Sequence, residues 1–188
     1  MVNLLRWLVA ASAVTALVYT MVPSLPSPAA DLEALARGGD DPATCPANAK
    51  KANLNFTVTD MNGEKVSLAS FKGKVLVLDF WATWCPPCKA EIPGFVELQD
   101  AYGPKGLQFV GVSVDAEDTP AMLKDFAAQY KMNYPVLVGG DRDDLQDAYG
   151  PMWGIPTTFV IGRDGRICHK NAGLVGKSKY EADIKGLL

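Results

Sequence analysis

The chain has 188 residues, 48% hydrophobic and 21% charged, which suits one compact domain with an appendage and excludes a disordered chain. With 18 Lys+Arg against 21 Asp+Glu the net charge is −3, and no Lys/Arg block offers the basic patch that a nucleic-acid partner requires. A single His excludes a His-rich zinc or iron site, so the chemistry should run through the cysteines, Cys45, Cys85, Cys88 and Cys168.

Residues 1–30 begin MVNLLRWLVAASAVTALVYTMV, where Arg6 is followed by the uncharged run Trp7–Val22. A membrane-spanning helix needs about 20 apolar residues, and Leu4–Val22 reaches that if Arg6 snorkels. The basic residue precedes the apolar run, so the N-terminus should stay cytoplasmic while the rest is exported. The segment PSLPSPAAD that follows offers a signal-peptidase cut after Ala29 or Ala30. A cleaved signal peptide and a retained membrane anchor both remain open. No Cys directly follows the apolar run, which disfavours a lipoprotein. Either way residues 31–188 should lie where disulfides persist.

Residues 31–51, acidic and rich in Gly, Pro and Ala, should be a linker, and 52–188 the folded domain. Asn53–Thr59 and Val66–Leu68 should form a hairpin around Asn62-Gly63. Val75–Trp81, VLVLDFW, is an apolar run broken by one Asp, as expected of a strand buried on both faces. A helix should follow over about Pro86–Tyr102, bent near Pro93, and then a second buried strand over Gly106–Val114. Thr119 and Pro120 should cap and open a helix reaching about Met132. A short strand at Pro135–Val138 and a short helix at Asp143–Tyr149 come next. Thr157–Ile161 and Arg166–Asn171 should pair around Arg163-Asp164-Gly165, before a last helix over about Lys177–Leu188. Strand–helix alternation ending in a hairpin and a helix makes one α/β domain with a mixed sheet.

Cys85-Pro86-Pro87-Cys88 falls where the strongest buried strand should end and a helix begin. Half of a zinc site is the alternative, but Cys45, Cys168 and His169 are too scattered to supply the other half, so no metal or cofactor is implied. At a helix N-terminus a cysteine faces unpaired N–H groups and the positive end of the helix dipole, which stabilises its thiolate. Cys85 should be the exposed attacking thiol, and Cys88, one turn in, the resolving one. Pro86 and Pro87 have no N–H, so only the Cys88 amide remains to hydrogen-bond the Cys85 sulfur. A hydrogen bond to a charged group contributes about 1.5–3 kcal/mol. Its loss disfavours the thiolate and points to a reductant.

The segment from Asp79 to Lys89, DFWATWCPPCK, resembles the active-site segment of the thioredoxin superfamily, and Gly154–Phe159, GIPTTF, resembles its second signature. Pro93 matches that fold's helix-kinking proline. The resemblance implies a thioredoxin fold over about residues 52–188 with a cis bond before Pro156. The separation from Cys88 to Pro156 exceeds that of a plain thioredoxin, which implies the inserted strand and helix of the TlpA/ResA/CcmG group of membrane-tethered periplasmic proteins. Glu91 matches that group's active-site glutamate. The implied function is a periplasmic thiol:disulfide oxidoreductase anchored to the inner membrane, working as a reductant. Implied substrates are disulfides of apocytochrome c or of copper-assembly proteins for cytochrome oxidase, with recharging by a DsbD/CcdA-like membrane protein.

Asp79, charged within an apolar strand, should have a raised pKa and serve as proton acceptor for Cys88; the alternative is a salt bridge to Lys74 or Lys105. Glu91 could tune the thiols or be a solvated helix carboxylate. Trp84, Pro86, Pro87 and Ile155 should shape the partner groove, where a backbone next to Pro156 can pair with an extended substrate. Cys45 and Cys168 should form a structural disulfide, a pairing that the resemblance supports, or else a second redox pair. His169 should be a surface residue. It enters one competing reading, a Sco-like copper chaperone using Cys85, Cys88 and His169, although the Cys pair of those proteins is spaced by three residues. Peroxiredoxins share the fold, but their PxxxTxxC pattern is missing. A non-catalytic binding module is disfavoured by the presence of both sulfurs.

Overall fold

The computed structural model describes residues 45–188, so the expected signal or anchor segment and most of the expected linker lie outside the described residues. Val75–Trp81 forms strand β3, and every one of its side chains is buried. A strand without a solvent face needs strands on both edges and cover on both sides. It has both. The five-stranded sheet runs β5-β4-β3-β6-β7, with β4 (Leu107–Ser113) parallel to β3 on one edge and β6 (Thr157–Ile161) antiparallel to it on the other. Beyond these lie β5 (Val136–Val138), parallel to β4, and β7 (Ile167–Ala172), antiparallel to β6. A separate antiparallel hairpin pairs β1 (Thr57–Thr59) with β2 (Lys65–Ser67), its turn using Gly63 at φ 87°.

Side chains alternate across a strand, so β3 serves two cores. Leu76, Leu78 and Phe80 pack with Leu54, Phe56 and Val58 and with Leu145 and Tyr149 of α3 (Asp143–Tyr149). Val75 and Val77 face the other way, onto Phe95 and Leu98 of α1 (Pro86–Tyr102) and Tyr180 and Ile184 of α4 (Lys177–Lys185). Trp81 continues that face against Cys85, Cys88 and Ile92, with Leu123 and Ala127 of α2 (Pro120–Gln129). The result is a mixed sheet between helical layers. Among the described residues no helix is long and apolar enough to cross a membrane.

Most elements fall where expected, and the departures have local causes. β1 is shorter than Asn53–Thr59, because its partner β2 ends at Ser67, where the chain turns into a 3-10 helix over Leu68–Phe71. Helix α2 stops at Gln129, short of Met132. Lys131 takes φ 55°, its N–H bonds to Ala128 O at 3.2 Å, and the Met132 N–H bonds to Ala127 O at 2.8 Å. That is a Schellman termination with Lys in the place usually held by Gly, so no glycine marks it. Among the described residues two peptide bonds are cis, Ile155-Pro156 as the resemblance implied and Gly150-Pro151, which nothing in the sequence announced.

Cys45 and Cys168 are joined, closing a sequence separation of 123 residues, and Cys168 is 6% exposed. Residues just after Cys45 also join the last hairpin: Lys51 bridges Arg166, and the Ile167 N–H bonds to Lys50 O. Closing so long a loop stabilises by about 4–5 kcal/mol at most in the chain-entropy picture. Cys168→Ala should therefore lower the urea midpoint clearly; equal midpoints for variant and wild type would remove the staple's stabilising role.

Candidate active site

Strand β3 ends at Trp81, and Ala82–Trp84 turn the chain into α1, with the Cys85 N–H bonded to Ala82 O at 3.2 Å. Cys85 occupies the N-cap in extended conformation, with φ −80° and ψ 107°. Pro86 and Pro87 fill the first helical positions, where their missing N–H groups would have had no intrahelical partner. The one amide left to the cap is that of Cys88, which donates to Cys85 Sγ at 3.2 Å. The two sulfurs are bonded at 2.02 Å.

Cys85 is not the exposed member of the pair. Both cysteines are 2% exposed in this bonded form. Their sulfurs lie in an apolar cluster with Trp81, Ala82 and Ile92, with Ile155 packed against it. The carbonyl oxygen of Ile155, on the bond preceding Pro156, lies 3.8 Å from Cys85 Sγ. The backbone beside Pro156 thus reaches the sulfur itself, and Pro156, buried, contributes no N–H there.

Asp79 is 4% exposed and shares the α1 face of β3 with Val77 and Trp81. Its partner is neither Lys74 nor Lys105, whose ammonium groups lie over the Phe71 and Tyr102 rings. Thr158 stands directly opposite Asp79 in the β3–β6 ladder, and its hydroxyl donates to Asp79 Oδ1 at 3.0 Å. Burial, reinforced by the charge of Glu91 and opposed by the Thr158 hydrogen bond, pushes the Asp79 carboxyl up to about 8.

Glu91 is no solvated helix carboxylate. It is 5% exposed, and its Oε1 accepts from the Val175 N–H at 2.6 Å and from the Tyr180 hydroxyl at 3.2 Å. Burial raises its pKa above the ordinary glutamate value, against those two hydrogen bonds.

Trp84 is 63% exposed, and its indole N–H donates to Asp115 Oδ2 at 2.5 Å. Asp115 and the buried Asp118, which no sequence motif marks, hold the loop ahead of Cys85. Thr83 donates to Asp118 Oδ1 at 2.8 Å, and Ser113 at the end of β4 donates to Asp118 Oδ2 at 2.5 Å. Trp153, two residues before Ile155, is 93% exposed and was also unforeseen. Thr158 was legible in principle, as a strand residue two positions past the signature proline. Tyr180, on a distant helix, carried no local signal.

His169 is not a surface residue. Its side chain is 12% exposed, and Nδ1 lies 3.7 Å from Asp183 Oδ1, which also pairs with Lys179. Among the described residues no group of three or more His, Cys, Asp or Glu is placed to hold a metal.

An acid whose pKa is raised by folding contributes stability at pH below its unfolded value, about 3.9, and loses it as pH rises through the folded value. For Asp79 that window runs from about 4 to about 8. Asp79→Asn should therefore match wild type in melting temperature near pH 4 and exceed it at pH 9. A lower melting temperature for the variant at pH 9 would contradict an Asp79 whose ionisation is opposed by burial.

The model of the AhpC/TSA family matches residues 49–170. The thiol-disulfide oxidoreductase ResA of Bacillus thuringiensis subsp. konkukian (strain 97-27) is 38% identical over 131 residues, 70% of this chain and 73% of that protein. ResA of Bacillus subtilis (strain 168) is 35% identical over 124 residues, 66% of this chain and 67% of its own length. Among solved structures, a thiol:disulfide interchange protein of the thioredoxin family from Chlorobium tepidum TLS superposes with a TM-score of 0.67 at 31% identity, covering 76% of this chain and 98% of that one. A chain described as a thiol:disulfide interchange protein DsbE, also from Chlorobium tepidum, gives 0.64 at 29% identity over 74% and 99%. With its thioredoxin-like sheet and its cysteine pair capping α1, the chain belongs to the AhpC/TSA family and is a thiol-disulfide oxidoreductase of the ResA/DsbE type.

Proposed function

We propose that this oxidoreductase works as a reductant of protein disulfides in the periplasm, held at the inner membrane by its N-terminal segment. The observation that carries the reductant reading is the cap of α1: Cys85 Sγ receives one amide, from Cys88, because Pro86 and Pro87 can give none. A weakly solvated thiolate makes the dithiol the higher-energy form, which favours giving electrons away.

The Cys85 thiolate attacks one sulfur of a substrate disulfide; that S–S bond breaks, and the departing substrate thiolate takes up a proton. Cys88 then gives its proton to Asp79 and attacks Cys85 Sγ. The Cys85–Cys88 bond forms, the mixed disulfide breaks, and the second substrate sulfur leaves as a thiolate that takes up the proton held by Asp79. Two electrons have passed from the dithiol to the substrate. Glu91 tunes this proton transfer from the same buried face. Trp84, Pro86, Pro87 and Ile155 line the groove, with Ile155 O available to an extended substrate backbone beside the sulfur.

Export is supported by the apolar run Trp7–Val22 behind Arg6 and by the joined Cys45 and Cys168. The likeness to the TlpA/ResA/CcmG group supports apocytochrome c or copper-assembly proteins of cytochrome oxidase as substrates, and a DsbD/CcdA-like membrane protein as electron donor. Expressing Cys88→Ser in the native host should trap a partner on Cys85 as a mixed disulfide, released by reductant and identifiable by mass spectrometry. Recovery of no Cys85-linked protein would overturn the reductant reading.

A further inference from the structure

The two buried acids beneath α1 are connected through hydroxyl groups. Thr158 Oγ1 lies 3.0 Å from Asp79 Oδ1, Tyr180 Oη 3.0 Å from Thr158 Oγ1, and Glu91 Oε1 3.2 Å from Tyr180 Oη. Asp79, Thr158, Tyr180 and Glu91 are 4%, 0%, 1% and 5% exposed, so bulk water does not interrupt the line. β3 supplies the first acid, β6 the threonine opposite it, α4 the tyrosine and α1 the second acid.

We infer that Asp79, Thr158, Tyr180 and Glu91 form one proton relay, in which the two carboxyl groups hold a single proton between them and pass it through the two hydroxyls. Hydrogen counting carries the inference. The line has three oxygen–oxygen links, and the hydroxyls of Thr158 and Tyr180 supply two hydrogens. The third must be a carboxyl proton. With no such proton, one link has no hydrogen and two carboxylates lie charged in a dry site. With two on the linking oxygens, one hydroxyl hydrogen has no acceptor in the line.

With one proton, both settings are complete. In the first, Asp79 donates to Thr158, Thr158 to Tyr180, and Tyr180 to the Glu91 carboxylate, which also accepts from the Val175 N–H. In the second, Glu91 donates to Tyr180, Tyr180 to Thr158, and Thr158 to the Asp79 carboxylate. Moving each hydrogen one link over converts one into the other, with no net change in charge. Glu91 Oε2 has no hydrogen-bond partner among the described residues, which disfavours a permanently ionised Glu91.

The titratable groups facing the pair are Tyr180 and Tyr134, whose hydroxyls both feel the two acids, and the Cys85 and Cys88 sulfurs, which do not titrate while bonded. The relay's purpose rests on the role proposed above for Asp79: the second setting leaves Asp79 ionised and ready to take the Cys88 proton. Its chemistry does not depend on that role. Tyr180 and Thr158 are positioning residues here, acting through the acids.

The test is carboxyl carbon NMR of the oxidised full-length protein across pH. In wild type the Asp79 and Glu91 carboxyl signals should each move in two steps shared by both residues. Tyr180→Phe keeps the ring that packs edge-on against Phe95 and removes the middle of the line. Between the two steps, the two signals of this variant should separate toward fully protonated and fully ionised positions. Glu91→Gln should lower the Asp79 midpoint by about one pH unit or more. Thr158→Val cuts the line at another point and replaces Tyr180→Phe should that variant not fold. A single independent step for each acid in wild type would overturn the relay, as would severed variants with unchanged curves. No partner protein is present in these titrations, so failure of the reductant reading would leave their outcome untouched.

Discussion

Helix α1 starts on sulfur, and the rest of the site is arranged around that start. An oxygen cap would normally take hydrogen bonds from one or two amides of the first turn. Here two prolines remove donors that would otherwise solvate the Cys85 sulfur, leaving the Cys88 N–H at 3.2 Å. The position of this cap is set from behind by β3, whose complete burial fixes where the strand stops and the chain turns. It is held from the side by the Asp115 and Asp118 contacts to Trp84 and Thr83.

Burial of β3 also makes the acid chemistry possible. A carboxyl group on an edge strand would be solvated and ordinary. Placed between Val77 and Trp81 and covered by α1 and α4, Asp79 loses water and gains only a threonine hydroxyl in return. Glu91 approaches the same space from the covering helix, so each acid raises the cost of ionising the other. Packing alone would favour apolar residues at both positions. Retaining two acids there opposes stability at high pH and fits the proton-accepting role proposed for Asp79.

Local signals in the sequence were strong where a single element carries the information. The unbroken run Val75–Trp81, the Cys-Pro-Pro-Cys segment, the cap at Thr119-Pro120 and the Asn62-Gly63 turn each depend on neighbours in the chain. The end of α2 carries no such signal, because Lys131 occupies a left-handed position without a glycine to mark it. The burial of Glu91 and the approach of His169 to Asp183 depend on α4, and on Val175 ahead of it, far away in sequence. Nothing within a few residues of either acid or imidazole reports that. The same holds for Tyr180 and Asp118, whose roles arise only when separate elements meet. Cys85 looked exposed because a helix N-terminus usually is; the Ile155 segment covers it.

The measurement bearing most directly on the proposed direction of electron flow is the reduction potential of the Cys85/Cys88 couple at pH 7, taken in glutathione buffers for wild type and for Pro87→Ala. A wild-type potential on the thioredoxin side, about −270 mV, is expected. The variant should lie roughly 30–60 mV more positive, since a restored amide is worth about 1.5–3 kcal/mol to the thiolate. A wild-type potential near −120 mV, the value of a strong oxidant, would contradict the reductant assignment.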